Sequence, residues 1–172
     1  MKSRLYLLRH AKSSWDDPGL SDAERPLAPR GERAARRMAG HFRAADVKPD
    51  VVLCSPARRA RQTLEAVAPA FGPGTEVRVE EDLYGASAGE LLARLRQVLP
   101  GTGSVMVVGH NPGIHELALE LAGAGDERAL AGLRHKFPTA ALATLLVGEG
   151  SWPDLDRGRA ELDDFVVPRA LA

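Results

Sequence analysis

Short apolar runs alternate with segments in which apolar residues recur every three or four positions, and this alternation limits the chain to few folds. The first run, Leu-Tyr-Leu-Leu at 5–8, lies between charged residues and suits a buried strand. In the next segment, 31–45, the spacing of Ala34, Met38 and Phe42 is helical. Strands that alternate with helices predict a three-layer α/β/α sandwich with a central, mostly parallel sheet.

The same two patterns recur along the rest of the chain. The expected strands are 5–8, 50–54, 76–80, 104–108, 139–147 and 162–167. The further expected helices cover 60–71, 91–99 and 114–121. Ser87 and Glu90 have the spacing of a capping box before the second of these helices. We expect the last two strands to pair antiparallel at an edge of the sheet.

Length and composition exclude several classes of protein. The 172 residues fit one domain, 1–172, and 23 basic residues balance 23 acidic ones, which argues against broad binding to nucleic acid or to an anionic membrane. One cysteine excludes a disulfide framework and a multi-cysteine zinc site. There is no apolar run of membrane-spanning length, and the apolar part of the N-terminus is too short for a secretory signal. We therefore expect a cytoplasmic protein.

Basic residues follow three of the expected strands. The first strand ends in Arg9 and His10, the second is followed by Ser55-Pro56 and several arginines, and the strand at 104–108 is followed by Gly109 and His110. Ligands of open α/β sheets bind at the carboxyl ends of the strands, so these groups are expected at one edge. This predicts an anion site, and phosphate is the natural anion because guanidinium groups match its oxygens.

Two of these junctions place a helix-capping residue before a proline. Ser55-Pro56 and Asn111-Pro112 are therefore expected to be N-caps, each followed by proline at the first helical position. The unpaired N–H groups of two helix N-termini would add to the anion site.

Other sites for anions and metals lack support. No His-Glu-x-x-His pattern, P-loop motif or Gly-x-Ser-x-Gly motif occurs, so we expect no metal and no cofactor. From these residues alone, a non-catalytic phosphate-binding module remains an alternative to an enzyme.

Three motifs resemble those of the histidine phosphatase superfamily, whose fold is phosphoglycerate mutase-like. They are Leu-Arg-His-Ala at 8–11, Ser-Pro-Ala-Arg-Arg-Ala-Arg-Gln-Thr at 55–63 and Gly-His-Asn at 109–111. Further segments resemble the short, SixA-like branch of phosphohistidine phosphatases. They are Lys-Ser-Ser-Trp at 12–15, Arg-Pro-Leu at 25–27 with Arg-Gly at 30–31, Leu-Tyr-Gly at 83–85, Gly-His-Asn-Pro-Gly at 109–113 and Phe-Pro-Thr at 137–139. Ala11 stands where most of the superfamily has Gly, a change that the SixA-like branch often tolerates.

The resemblance implies a role for each matching residue. His10 would be the nucleophile that is transiently phosphorylated, and Arg9, Arg59 and His110 would hold the phosphoryl oxygens. Helical geometry alone does not choose between Arg58 and Arg59, whereas family spacing selects Arg59. The two arginines beside His10 should lower its pKa by like-charge repulsion and favour its neutral form.

The proton donor is expected among three adjacent acidic residues. By the resemblance, Glu81 has the position of the donor because it lies three residues before Tyr84. Glu80 and Asp82 are alternatives, and the segment can also be a solvated acidic turn.

The resemblance also implies the reaction and the substrate class. It predicts a metal-independent phosphatase with a covalent phosphohistidine intermediate, acting on phosphohistidine in a protein or, alternatively, on a small phosphomonoester. The chain is too short for a large cap insertion, so the site should be open enough for a phosphorylated protein. Lys12, Ser13 and Trp15 are expected at its rim.

Overall fold

The computed structural model describes residues 2–148 and 152–171. In these residues the strands are β1 (Ser3–Arg9), β2 (Val51–Cys54), β3 (Glu76–Val79), β4 (Ser104–Gly109), β5 (Ala122–Gly125), β6 (Leu142–Val147) and β7 (Ala160–Val166). The helices are α1 (Pro29–Ala44), α2 (Arg58–Val67), α3 (Ala88–Arg96), α4 (Gly113–Leu121) and α5 (Glu127–His135). Short 3-10 helices cover 22–24, 68–70, 81–83 and 168–170.

The strands form one sheet in the order β3-β2-β4-β1-β6-β7-β5. All neighbouring pairs are parallel except β1 with β6 and β6 with β7, so β6 alone runs against the others. The expected pairing of the last two strands is confirmed, but they do not form the edge. β5, which the sequence analysis did not expect, pairs with β7 and occupies that edge.

Two layers of helices cover the sheet, which confirms the α/β/α sandwich. Side chains of β1 alternate between the two layers, as the strand period of two requires. Leu5 and Leu7 pack in the cluster that contains residues of α3, α4 and α5, whereas Tyr6 and Leu8 pack in the cluster that contains residues of α1 and α2. The apolar run at 5–8 is continuous because it is buried on both faces.

Local signals explain which helices were found and which were missed. The capping box is present, since Ser87 Oγ accepts from the Glu90 N–H and the Glu90 carboxylate accepts from the Ser87 N–H. α5 was missed because its apolar stripe is short, although Asp126 caps it by accepting from the Ala129 N–H. β5 reads Ala-Gly-Ala-Gly, which has no strand pattern. In the described part of the chain, no helix has the length and hydropathy needed to cross a membrane.

The segment after β1 packs against the first turn of α1 through a glycine. Ala28 N–H donates to the Lys12 carbonyl at 2.9 Å, and a Cβ at Gly31 would lie 2.1 Å from the same carbonyl oxygen. Only glycine allows this approach, and it holds the backbone that follows His10 against α1.

We expect Gly31→Ala to lower the free energy of unfolding by about 1–3 kcal/mol, because the added methyl group overlaps backbone that cannot rotate away. The matched control is Gly40→Ala on the same helix, where an added Cβ meets nothing within 4 Å. The control should raise stability by about 0.5–1 kcal/mol through helix propensity. Urea unfolding of both variants measures the two effects, and equal effects would contradict the packing argument.

Candidate active site

Three strand ends meet at one edge of the sheet, as the sequence predicts. β4 lies between β1 and β2, and Arg9 is in register with Gly109. A cleft of about 450 Å³ opens at this edge, lined by Arg9, His10, Arg59 and His110 among others. The structure therefore brings four of the five predicted site residues together.

His10 is held in one tautomer by the backbone. It is 7% exposed, and its Nδ1 lies 2.7 Å from the carbonyl oxygen of Ala11. A carbonyl can only accept, so Nδ1 carries the proton of the neutral ring. The lone pair of the neutral ring is then on Nε2.

The loop that carries His10 is tied to α2 by Thr63. The hydroxyl of Thr63 accepts from the Ala11 N–H at 2.9 Å and donates to the Arg59 carbonyl at 2.7 Å. On the other side, the Ala140 N–H, just before β6, donates to the His10 carbonyl at 3.0 Å. Because β6 runs antiparallel to β1, the segment before it reaches the same edge.

Ser55 supports the second histidine and does not cap a helix. Its buried Oγ lies 2.7 Å from His110 Nε2 and accepts from the Ala57 N–H at 3.2 Å. α2 begins only at Arg58, with Ala57 as its N-cap, and α4 begins at Gly113 after Pro112. Both expected N-caps are therefore wrong, because the chain makes a further turn after each strand before its helix starts.

Burial is the main reason that both histidines are neutral. It lowers the pKa of His10 to about 3 and the pKa of His110 to about 4. For His10, the hydrogen bond to the Ala11 carbonyl opposes this lowering of the pKa, and repulsion from His110, Arg59 and Arg9 adds to it. The expected direction of the His10 shift is confirmed, but its main cause is burial and not the arginines. The two rings lie 5.2 Å apart between centroids.

Arg59 is held by a carboxylate that the sequence analysis did not identify. Its Nη1 donates to the Asp22 carbonyl at 2.6 Å, and its Nη2 donates to Asp22 Oδ2 at 2.9 Å. The hydroxyl of Tyr84 donates to the same Oδ2. These bonds, from Tyr84 first and then Arg59, lower the pKa of Asp22 to about 2. Arg58 is exposed, so the choice of Arg59 by family spacing agrees with the geometry.

Arg9 is anchored to the backbone through one nitrogen of its guanidinium. Its Nη1 donates to the Phe137 carbonyl at 2.9 Å, and Asn111 donates to the same oxygen at 3.0 Å. Its Nε is buried without a partner among the described residues. Burial lowers the pKa of Arg9 from its high ordinary value, so the cation is poorly hydrated and suited to bind an anion.

The rim contains the residues expected there and one further arginine. Lys12, Ser13 and Trp15 all line the cleft. The guanidinium of Arg25 lies 3.5 Å from the ring centroid of Trp15, while its Nε donates to Asp22 at 3.3 Å. Trp15 is 71% exposed, so this stacked pair presents an aromatic face to solvent at the entrance.

Glu81 does not reach this cleft. Glu80, Glu81 and Asp82 line a separate cleft beside α3, and Glu80 is paired with Arg94 at 2.7 Å. Of the described residues that line the active-site cleft, only Asp22 carries a carboxylate. The expectation of a donor at Glu81 therefore has no geometric support in this structure.

Asp22, which the sequence analysis missed, lies between motifs and not within one. Asp22 is in a polar loop at 11–29 that gives no pattern beyond its length, although long loops are often functional. Among the described residues, no three His, Cys, Asp or Glu side chains form a group that could hold a metal ion.

The two buried histidines should make the fold sensitive to acid. Unfolded histidine has a pKa of about 6.5, so below that pH the unfolded chain binds protons that folded His10 and His110 do not. The free energy of unfolding should therefore fall as the pH drops from about 6.5 towards 4. The loss from His10 should reach about 2 kcal/mol at pH 5.

Urea unfolding between pH 7.5 and pH 5, approximately, measures this slope, and His10→Gln should make it shallower. His135→Gln, which removes an exposed imidazole, is the control and should keep the wild-type slope. An unchanged slope in His10→Gln would contradict the assignment.

Comparisons with known proteins agree with this geometry. The family model of the histidine phosphatase superfamily (branch 1) matches residues 5–98. A Mycobacterium tuberculosis protein, Rv1276c, is 43% identical over 164 residues, covering 94% of this chain and 100% of the relative. The phosphohistidine phosphatase SixA of Escherichia coli is 30% identical over 148 residues, covering 85% of this chain and 86% of SixA.

The solved structures give the same result. A structure assigned as a phosphohistidine phosphatase SixA, from Nakamurella multipartitia, superposes with a TM-score of 0.81 at 32% identity, covering 98% of this chain and 97% of the other. The motifs, the cleft and these relatives together show that the chain belongs to the histidine phosphatase superfamily, in its SixA-like branch, and is a phosphatase.

Proposed function

We propose that this phosphatase hydrolyses phosphohistidine on proteins, through a covalent phosphohistidine at His10 and without a metal ion. In the first step, Nε2 of His10 attacks phosphorus in line, the new N–P bond forms and the N–P bond of the substrate breaks. The substrate imidazole, whose other ring nitrogen carries a proton, takes the electron pair of the broken bond and leaves as a neutral ring. In the second step, water attacks phosphorus, His10 leaves, and inorganic phosphate is released.

The Nδ1 hydrogen bond to Ala11 supports both steps. It presents a neutral Nε2 for attack, and it keeps a proton on the opposite nitrogen once Nε2 is phosphorylated. With that proton retained, His10 departs from phosphorus as a neutral imidazole and needs no acid.

The negative charge of the phosphoryl group is stabilised by cationic and polar side chains that already line the cleft. Arg9 and Arg59 are permanent cations in the cleft, and His110 offers a polar ring 5.2 Å from His10. Asp22 and Tyr84 fix Arg59, so this cation needs little reorganisation when the phosphoryl group arrives. In this proposal Asp22 is a positioning residue.

One observation favours phosphohistidine over an alkyl phosphomonoester. Asp22 is the only carboxyl group among the described residues that line the cleft. Its pKa of about 2 leaves it ionised at neutral pH. An alkoxide leaving group needs a proton from such an acid, whereas an imidazole has a conjugate acid with a pKa of about 6.5. Transfer from one imidazole to another also exchanges one N–P bond for another. The name of the Escherichia coli relative, a phosphohistidine phosphatase, supports the same substrate class.

His10→Ala should reduce turnover by a factor of about 10³ or more, because it removes the nucleophile. The measurement is release of phosphate from a phosphohistidine peptide and from an aryl phosphate, each with and without chelator. Wild type quenched during turnover should carry an acid-labile, base-stable phosphoryl group on His10. Retained activity in His10→Ala would remove His10 as the nucleophile, and loss of wild-type activity with chelator would overturn the metal-free mechanism.

Glu81→Gln should change turnover of both substrates by less than about twofold, because Glu81 lines a different cleft. Asp82→Asn, its neighbour in the same acidic segment, is the matched control. A loss of about 10²-fold or more on the aryl phosphate in Glu81→Gln alone would restore Glu81 as the donor. Faster turnover of a small alkyl phosphate than of the phosphohistidine peptide would favour the phosphomonoesterase alternative.

A further inference from the structure

A second, basic groove adjoins the active-site cleft. It has a volume of about 450 Å³ and is lined by five cations, from Lys12, Arg30, Arg37, Lys136 and Arg169. No Asp or Glu among the described residues lines it. This is a local excess of charge on a chain whose net charge is zero.

The five cations are free to bind a partner. Four of them are exposed and Lys12 is half-buried. In the described part of the chain, none of these five side chains forms an ion pair or a hydrogen bond. Cations that are not neutralised internally raise the local concentration of anionic partners and their rate of association.

The groove is continuous with the site of chemistry. Lys12 and Thr139 line both the groove and the cleft that contains His10. A molecule that places a phosphoryl group at His10 therefore passes Lys12 when it extends into the groove.

The spread of the cations exceeds what one phosphate group needs. Arg30 and Arg37 are seven residues apart on α1, which separates them by about 10 Å along the helix axis and leaves them on one face. Ala34 lies between them, and Pro138 and Val167 add apolar floor. A row of flexible cations over an apolar floor suits an acidic stretch of polypeptide.

We propose that this groove docks an acidic segment of the phosphorylated protein substrate, next to its phosphohistidine. The inference rests on the proposed function, since it takes the substrate to be a protein. The groove contributes to association and to substrate choice, while the phosphoryl transfer remains at His10.

The test compares two phosphohistidine peptides of equal length, one with Glu and one with Gln at four flanking positions. The quantity measured is the ratio of kcat/KM for the acidic peptide to kcat/KM for the neutral one. At low ionic strength the wild-type ratio should be about 10 or more, and it should fall as salt screens the cations. The R30E/R37E variant should reduce the ratio to about 1 or below.

The matched control is R33E/R36E, on the same helix. It makes the same change of charge at two exposed arginines that do not line the groove, and it should keep most of the wild-type ratio. A wild-type ratio near 1, or equal ratios in the two variants, would overturn the proposal. Inhibition by tripolyphosphate that R30E/R37E removes, without any advantage for the acidic peptide, would make the groove a site for small polyanions and would also overturn it.

A separate measurement keeps this proposal distinct from the proposed function. Fluorescence anisotropy of the unphosphorylated acidic and neutral peptides reports docking without chemistry. If wild type hydrolyses neither phosphohistidine peptide, the proposed function fails, and selective binding of the acidic peptide that R30E/R37E abolishes still supports the groove. If neither peptide binds selectively while both are hydrolysed, the groove proposal fails alone.

Discussion

The parallel pairing of β1 and β2 with β4 is the constraint on which the rest of the active site depends. It ends three neighbouring strands at one edge, so that His10, Ser55 and His110 are neighbours although about 100 residues of chain separate the first from the last. The central strands are buried on both faces, which prevents a register slip that would move any of these side chains. The most buried part of the sheet therefore fixes the positions of the side chains in the active site.

Burial and charge act together on His10, the proposed nucleophile. Removing His10 from water suppresses its protonation, and the nearby cations add to this, so the ring stays neutral beside groups that attract an anion. The same burial lowers the free energy of unfolding in acid, because the histidines bind protons in the unfolded chain but not in the folded one. Burial of His10 and His110 therefore lowers stability in acid but keeps both rings neutral near pH 7, and the apolar sandwich around them supplies the compensating free energy.

The parts of this site that sequence could predict are those in which local pattern and topology suffice. Apolar runs located the central strands, and the motifs located His10, Arg59 and His110. Asp22 escaped because its role depends on where a long polar loop returns, which no periodicity records. Because Pro56 follows Ser55, the sequence predicts a helix N-cap at Ser55. In the fold, the Ser55 hydroxyl instead forms a hydrogen bond with His110. Glu81 has the right spacing in sequence, but its short 3-10 helix directs it to another cleft.

The net charge of zero does not describe how charge is distributed over the surface of the molecule. The balance of 23 basic and 23 acidic residues argues against a general affinity for polyanions, and this argument holds for the molecule as a whole. At about 8–10 Å, however, screening by salt is incomplete, so a partner responds to local clusters and not to the sum. Here the acidic residues 80–82 lie beside α3, whereas five cations collect next to the entrance of the active site. A neutral protein arranged in this way can select one oriented partner while it avoids non-specific binding of anions.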